Sequence, residues 1–166
     1  MNRRDLLRAG MAATAIYGVP FARLAHAAPA SFYELEFPAP DGKTLAVSEF
    51  LGKPMVLNFW ATWCPPCVKE MPDLDFLHHK YPDINIVGLA VDTAGNVAKF
   101  GEKIPVSYPI LIAGHDGIQL MKEMGNPRGG LPFTILFDPQ GQPVRHFLGQ
   151  IQRDDLDAVL ADASSV

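Results

Sequence analysis

The chain has 166 residues, a length typical of one domain, and its 48% hydrophobic and 19% charged residues are typical of a globular protein with a substantial core. The formal net charge is −4, and no run of Lys or Arg follows the first eight residues. A chain of this charge has no basic field to attract a phosphate backbone. The composition therefore argues against both extended disorder and nucleic acid as a partner.

The first 27 residues resemble an export signal, which we separate from a domain of residues 28–166. The pair Arg3 and Arg4 precedes an uncharged stretch over 9–22 that is too short to span a membrane, and small residues flank a cleavage site after Ala27. The arginine pair resembles a twin-arginine signal, and an ordinary secretory leader is the alternative. The twin-arginine signal implies the bacterial periplasm, and both routes end outside the cytoplasm, without stable membrane insertion once the signal is removed.

The first half of the domain predicts a β-α-β unit. Short strands are expected over 32–47 and a helical turn over 48–52. Nearly continuous apolar runs over 55–60 and 84–91 predict strands that are covered on both faces. A helix is expected between them, over 65–80, so the two strands must be parallel with a right-handed crossover.

The second half predicts further helices and an antiparallel hairpin. Turn-rich sequence separates the two hairpin strands, and acidic residues open the last helix. We expect an α/β fold with a central mixed β-sheet, flanking helices and an N-terminal β extension. The elements are a helix over 96–103, a strand over 107–112, a helix over 118–124, hairpin strands over 133–137 and 144–148, and a helix over 154–163.

The only two cysteines of the chain, Cys64 and Cys67, stand where the first apolar strand meets the first helix. At the helix start, unpaired N–H groups and the positive end of the helix dipole favour a thiolate at Cys64. Cys67 lies one turn later and can resolve a mixed disulfide. The spacing therefore predicts a redox disulfide with Cys64 as its nucleophile.

The prolines between the cysteines, Pro65 and Pro66, fit the first helical turn, whose N–H groups have no intrahelical partner. Pro66 also removes a donor that could stabilise the Cys64 thiolate, which favours a reductant over an oxidant. A structural staple is a weaker interpretation, because so short a loop constrains little chain. Zinc would need further ligands, and the adjacent His78 and His79 point in different directions. No metal or other cofactor is predicted.

The sequence resembles the TlpA/ResA/CcmG group of periplasmic thioredoxin-like reductases over about residues 32–160. The resemblance rests on the run 58–67, on Glu70 and Pro72 after it, and on the run 130–134. It implies a thioredoxin fold with Pro132 in cis beside the sulfurs. The backbone of Leu131 and the exposed face of Trp63 would then contact an extended substrate segment.

Glu70 is the third predicted catalytic residue, because it follows Cys67 by three positions on the same helical face. A partly buried carboxyl with a raised pKa could accept the Cys67 proton near neutral pH. Members of the TlpA/ResA/CcmG group have their acidic residue at this position. In cytosolic thioredoxins the acidic residue is an aspartate at the position that is Asn58 here. An exposed helix carboxylate is the alternative.

The resemblance also implies partners. It indicates disulfide-containing exported proteins as substrates, apocytochrome c among them. It also indicates a membrane thiol reductant of the DsbD or CcdA type as electron donor. Two other activities occur on this fold. A peroxidase usually uses a Thr-x-x-Cys setting, and a Sco-like copper chaperone spaces its cysteines by three residues and adds a histidine.

Overall fold

The computed structural model describes residues 30–164, so the expected leader over 1–27 lies outside the described residues. No helix within the described range is long and apolar enough to cross a bilayer. The strands and helices in that range are β1 (Glu36–Pro38), β2 (Thr44–Ala46), β3 (Met55–Trp60), α1 (Pro65–Lys80), β4 (Asn85–Ala90), α2 (Ala94–Gly101), β5 (Ile110–Ile112), α3 (Gly117–Glu123), β6 (Phe133–Phe137), β7 (Pro143–Leu148) and α4 (Arg153–Ala163).

Five strands form one mixed sheet in the order β5-β4-β3-β6-β7. Strand β3 pairs in parallel with β4 and antiparallel with β6, and α1 connects the parallel pair. Every residue of β3 is buried, as expected for a strand covered on both faces. The predicted β-α-β unit and the mixed α/β sheet are confirmed.

Alternate residues of β3 pack into different parts of the core. Val56 packs with side chains of α1 and α4 on one face of the sheet. Leu57 and Phe59 pack with α3 and the N-terminal segment on the other. Asn58, between them, shares the α1 face with Val56, because successive side chains of a strand point to opposite faces. The strand thus brings a polar side chain beneath α1.

Helix α1 begins directly after Cys64, which is its N-cap residue, and prolines occupy its first two positions. These prolines displace no intrahelical hydrogen bond, because the N–H groups of the first turn have no partner within the helix. The buried side chains of α1 recur at helical spacing and face the sheet. They are Cys67, Glu70, Met71, Leu74 and Leu77.

The N-terminal β extension is a separate two-stranded antiparallel sheet of β1 and β2. The segment before it is fixed to the main sheet by Phe32, which stacks on Phe137 with ring centroids 6.0 Å apart, and by Tyr33, whose hydroxyl donates to the Gly141 carbonyl at 2.8 Å. A Cβ at Gly141 would lie 2.6 Å from the Tyr33 ring, and its φ is +80°. Glycine is therefore required at this close approach.

Three predicted elements differ from the structure. The strands expected over 32–47 are confined to β1 and β2, and Ala30–Glu34 forms a 3-10 helix instead. The helix expected over 96–103 occupies Ala94–Gly101, because the Thr93 side chain accepts a hydrogen bond from the Asn96 N–H and so caps the helix earlier. The strand expected over 107–112 is confined to Ile110–Ile112. Its first residues cannot extend the ladder, because the Ser107 N–H donates to Asp75 and Pro109 has no N–H.

Candidate active site

Cys64 and Cys67 form a disulfide, with an S–S distance of 2.02 Å and a Cα–Cα distance of 5.3 Å. Both lie just beyond the carboxyl end of β3, within an apolar cluster that includes Trp60 and Met71. Cys64 is 5% exposed and Cys67 is fully buried. A partner sulfur can therefore approach the pair only at Cys64.

The two tryptophans near the disulfide have opposite environments. Trp60 ends β3 and is 1% exposed, whereas Trp63, directly before Cys64, is 66% exposed. The exposure of Trp63 agrees with the sequence prediction. An exposed indole beside the reactive sulfur gives an incoming chain an apolar surface of low conformational entropy cost.

The Leu131–Pro132 peptide bond is cis, as the resemblance implied. It lies directly before β6, the strand that pairs with β3. Leu131 packs against the cluster that contains both cysteines, and the Pro132 carbonyl accepts a hydrogen bond from the Gly149 N–H at 2.9 Å. The residues predicted to contact substrate are thus gathered around one end of the sheet.

Glu70 lies on the buried face of α1, with 1% of its surface exposed, so the alternative of an exposed carboxylate is wrong. Asn58 Nδ2 donates to Glu70 Oε1 at 2.7 Å, and the Ile151 N–H donates to Oε2 at 3.0 Å. Burial raises the pKa of Glu70 to about 7, against these two hydrogen bonds, and the nearby Asp73 adds to the rise. A carboxyl with this pKa exchanges protons near neutral pH.

The Glu70 site extends to a second strand through Asn58. Its Nδ2 also donates to Thr134 Oγ1 at 2.9 Å, so β3, β6 and α1 are joined by one polar network. Sequence analysis identified Asn58 only as the residue that replaces the aspartate of cytosolic thioredoxins. It gave no role to Thr134 or to the Ile151 N–H, which is 81 residues from Glu70. Contacts over such separations leave no local pattern in the sequence.

Asp92 is a second buried carboxylate near the disulfide, and sequence analysis did not identify it. It is 4% exposed and accepts hydrogen bonds from the Thr62 N–H and hydroxyl at Oδ2 and from the Thr93 N–H and Asn96 Nδ2 at Oδ1. Burial would raise the pKa of Asp92, but these hydrogen bonds outweigh it and hold the pKa below its ordinary value. Its place directly after β4, beside the end of β3, was the available signal.

No group of three or more His, Cys, Asp or Glu side chains within residues 30–164 is arranged to hold a metal ion. The site contains two sulfurs, a buried carboxyl with a raised pKa and an exposed aromatic surface. A thioredoxin fold with a C-x-x-C disulfide at a helix start and a cis-proline beside it defines the thiol-disulfide oxidoreductases.

Comparison with known proteins agrees with this class. Residues 26–155 match the model of the AhpC/TSA family, and the chain belongs to this family. It is 34% identical over 119 residues to the thiol-disulfide oxidoreductase ResA of Geobacillus thermodenitrificans, covering 70% of this chain and 66% of the relative. It is 32% identical over 123 residues to ResA of Bacillus thuringiensis, covering 72% and 69%. The chain thus spans about two thirds of the length of these curated relatives.

Among solved structures, MTB dsbF in its mixed oxidized and reduced forms superposes with a TM-score of 0.70 at 27% identity, covering 81% of this chain and 98% of that one. The thioredoxin fold and the predicted resemblance to ResA-like proteins are confirmed. The named relatives favour disulfide exchange over the copper-chaperone and peroxidase alternatives.

Proposed function

We propose that this thiol-disulfide oxidoreductase reduces disulfides in exported proteins, with Cys64, Cys67 and Glu70 as its catalytic residues. The observation that carries the proposal is the pairing of a buried disulfide with a buried carboxyl one helical turn away, whose pKa of about 7 suits proton transfer at physiological pH. Pro66 supports electron transfer from this protein to its partner, because it lacks the N–H that would otherwise stabilise a Cys64 thiolate and so the reduced form.

The reaction has two exchange steps. In the reduced protein, the Cys64 thiolate attacks one sulfur of the partner disulfide, a mixed disulfide forms, and the partner's other sulfur leaves as a thiolate that takes a proton. Glu70 accepts the proton of Cys67, and the Cys67 thiolate attacks Cys64. The second partner sulfur is released, so the partner gains two electrons and the Cys64–Cys67 disulfide is formed.

Substrate contacts are assigned to three residues around the sulfurs. The exposed indole of Trp63 supplies an apolar surface beside Cys64. Leu131, which precedes the cis-proline Pro132, packs against the cluster that contains both cysteines. An extended partner segment between these two surfaces would present its disulfide to Cys64, the only one of the two cysteines with any exposed surface.

The cellular context of the proposal comes from the leader. We propose export by the twin-arginine route, cleavage after Ala27 and action of residues 28–166 in the periplasm. An oxidising compartment requires an external source of electrons, for which a membrane thiol reductant of the DsbD or CcdA type is suited, and cytochrome c maturation is a fitting pathway. Amino-terminal sequencing of the exported protein tests the leader, with Ala28 as the expected first residue.

The central experiment traps partners in the cell of origin. In the Cys67→Ser variant, Cys64 attacks a partner disulfide but the mixed disulfide cannot be resolved, so covalent complexes that dissociate with reductant should accumulate. Cys64→Ser is the matched control, because it lacks the nucleophile and should trap nothing. Equal amounts of complex in the two variants, or none in either, would contradict the assigned roles.

The direction of electron flow is tested by the reduction potential of the Cys64–Cys67 couple. A reductase should have a potential near that of thioredoxin, about −270 mV, whereas a strong oxidant lies near about −120 mV. Equilibration with glutathione buffers, read by the separation of oxidised and reduced protein, gives the value. A potential near the oxidant limit would reverse the proposed direction while leaving the exchange chemistry intact.

A further inference from the structure

A groove with a volume of about 320 Å³ lies beside the nucleophile, between the loop that carries Trp63 and helix α2. It begins at the residue next to Cys64, so a chain lying in it would have neighbouring residues at the reactive sulfur. The groove is lined by Thr62, Trp63, Asn96, Lys99, Phe100 and Lys103.

The charge of this groove is opposite to that of the protein. Removal of the predicted leader leaves 10 basic and 17 acidic side chains, a net charge near −7. Lys99 and Lys103 are both exposed, and neither ammonium has a carboxylate within 4 Å among residues 30–164, whereas Lys53 and Lys80 each pair with an aspartate. Glu102 stands between the two groove lysines in sequence but does not line the groove.

The walls of the groove are held in place before any partner arrives. Asp92 accepts hydrogen bonds from Thr62 on one wall and from Asn96 on the other, the latter at 2.8 Å. Asp92 itself is 4% exposed, so the groove surface is formed by its hydrogen-bond partners and not by the carboxylate. A fixed groove spares a bound segment part of the ordering cost of association.

Aromatic side chains supply the apolar part of the surface. Trp63 is 66% exposed, and Phe100 is half-buried with its ring centroid 5.2 Å from that of the buried Trp60. The groove therefore combines a supported aromatic surface with two unpaired cations. Such a surface suits an extended peptide whose side chains include a carboxylate.

We propose that this groove selects partner proteins that carry an aspartate or glutamate a few residues from their reactive cysteine, with the carboxylate near Lys99 and Lys103. The inference rests on the proposed function and names the partner chemistry of the same site. The spacing is set by chain geometry, since an extended segment advances about 3.3 Å per residue. The partner cysteine must reach Cys64 while the carboxylate lies near the lysines, so the two partner residues must stand a few positions apart.

The experiment uses three synthetic peptides that share one internal disulfide and differ only in the residues that flank it, which are Glu, Gln or Lys. The reduced full-length protein should reduce the Glu peptide about fivefold faster than the Lys peptide at low salt, which corresponds to ~1 kcal/mol for two exposed ion pairs. The ratio should fall toward one at about 0.5 M salt, because the screening length shrinks.

Charge-reversal variants test whether the preference for the Glu peptide arises from Lys99 and Lys103. Lys99→Glu and Lys103→Glu should each lower the Glu-to-Lys rate ratio, and the double variant should invert it. Lys53→Glu is the matched control, because it makes the same charge change before β3, at the far end of the strand from Cys64, and should keep the wild-type ratio. The readout is a ratio within one preparation, so a partly unfolded variant does not alter it.

The outcomes separate the two proposals. Reduction of all three peptides at one rate, or an equal loss of preference in Lys53→Glu, overturns the groove assignment alone. A faster reaction of the Gln peptide than of the Glu peptide also overturns it and assigns the groove to uncharged segments. Failure to reduce any peptide overturns the proposed function, and the groove assignment with it.

Discussion

Two buried carboxylates lie near the disulfide, and they accept different numbers of hydrogen bonds. Glu70, 1% exposed, accepts two hydrogen bonds, one from the Asn58 side chain and one from the Ile151 backbone. Asp92, 4% exposed, accepts four, two of them from Thr62. Burial acts on both in the same direction, yet the pKa of Glu70 is raised to about 7 while that of Asp92 is lowered.

The comparison shows how one type of side chain serves two purposes. Removal from water disfavours the charged form, and each donor that points at a carboxylate favours it. Glu70 is the more deeply enclosed of the two, so with two donors burial prevails there and the group gains and loses a proton near neutral pH. With four donors, Asp92 stays an anion and holds the loop of Cys64 to the start of α2. Glu70 is thus suited to exchange protons, whereas Asp92 stabilises the local structure.

Removal of the proton acceptor at Glu70 should have the largest effect on activity. Glu70→Gln keeps the shape of the side chain but removes the proton acceptor, so the rate of disulfide reduction at pH 7 should fall about 100-fold. The wild-type rate should level off above about pH 7, whereas that of the variant should rise toward the ordinary thiol range near pH 8.5. Rates from pH 5 to 9 check this, with the exposed Glu36→Gln as a control that keeps the wild-type profile. An unaltered profile in Glu70→Gln would remove Glu70 from the catalytic residues.

The same carboxyl should make stability depend on pH in an unusual direction. A carboxyl whose folded pKa of about 7 exceeds its unfolded value stabilises the fold below the unfolded pKa, and this stabilisation is lost as pH rises through the folded pKa. From pH 5 to pH 8 the oxidised protein should lose ~2.5 kcal/mol of unfolding free energy through Glu70. Urea unfolding at both pH values measures the loss. Glu70→Gln should lack this component, and an identical loss in both proteins would contradict the pKa.

Sequence and structure agree best where a feature is local. The cysteine pair, the helix start at Cys64 and the position of Glu70 on the Cys67 face all follow from spacing within one strand and one helix. The cis bond at Pro132 came only from the family resemblance, because most X-Pro bonds in folded proteins are trans. The fold class followed from two apolar runs on either side of a helical stretch.

The features that sequence analysis missed depend on contacts between distant segments. Thr62 reaches Asp92 across 30 residues, and the Ile151 N–H reaches Glu70 across 81. The donor count of each carboxylate is therefore invisible in the sequence, although it contributes to which of them exchanges protons. The strand predicted over 107–112 was too long for the same reason, because a side chain 32 residues away, that of Asp75, takes the Ser107 N–H.

Substitution of Asp92 should have a smaller effect, on stability. Asp92→Asn replaces one acceptor oxygen by an NH2 group, which leaves either the Thr62 donors or those of Thr93 and Asn96 facing another donor. The loss of charge-assisted hydrogen bonds at a buried site should cost ~2 kcal/mol of unfolding free energy at pH 7. Because the folded pKa of Asp92 is lowered, its stabilisation is present above the unfolded value of about 3.9 and is lost as pH falls through the folded pKa.

The deficit of Asp92→Asn should therefore be constant between pH 5 and pH 8, the range over which the Glu70 component changes. Urea unfolding of both variants across this range distinguishes the two carboxylates by the slope of stability against pH as well as by its size. A deficit that grows or shrinks between pH 5 and pH 8 would mean that Asp92 also titrates there. The four donors would then not be sufficient to keep a buried carboxylate charged at this end of the sheet.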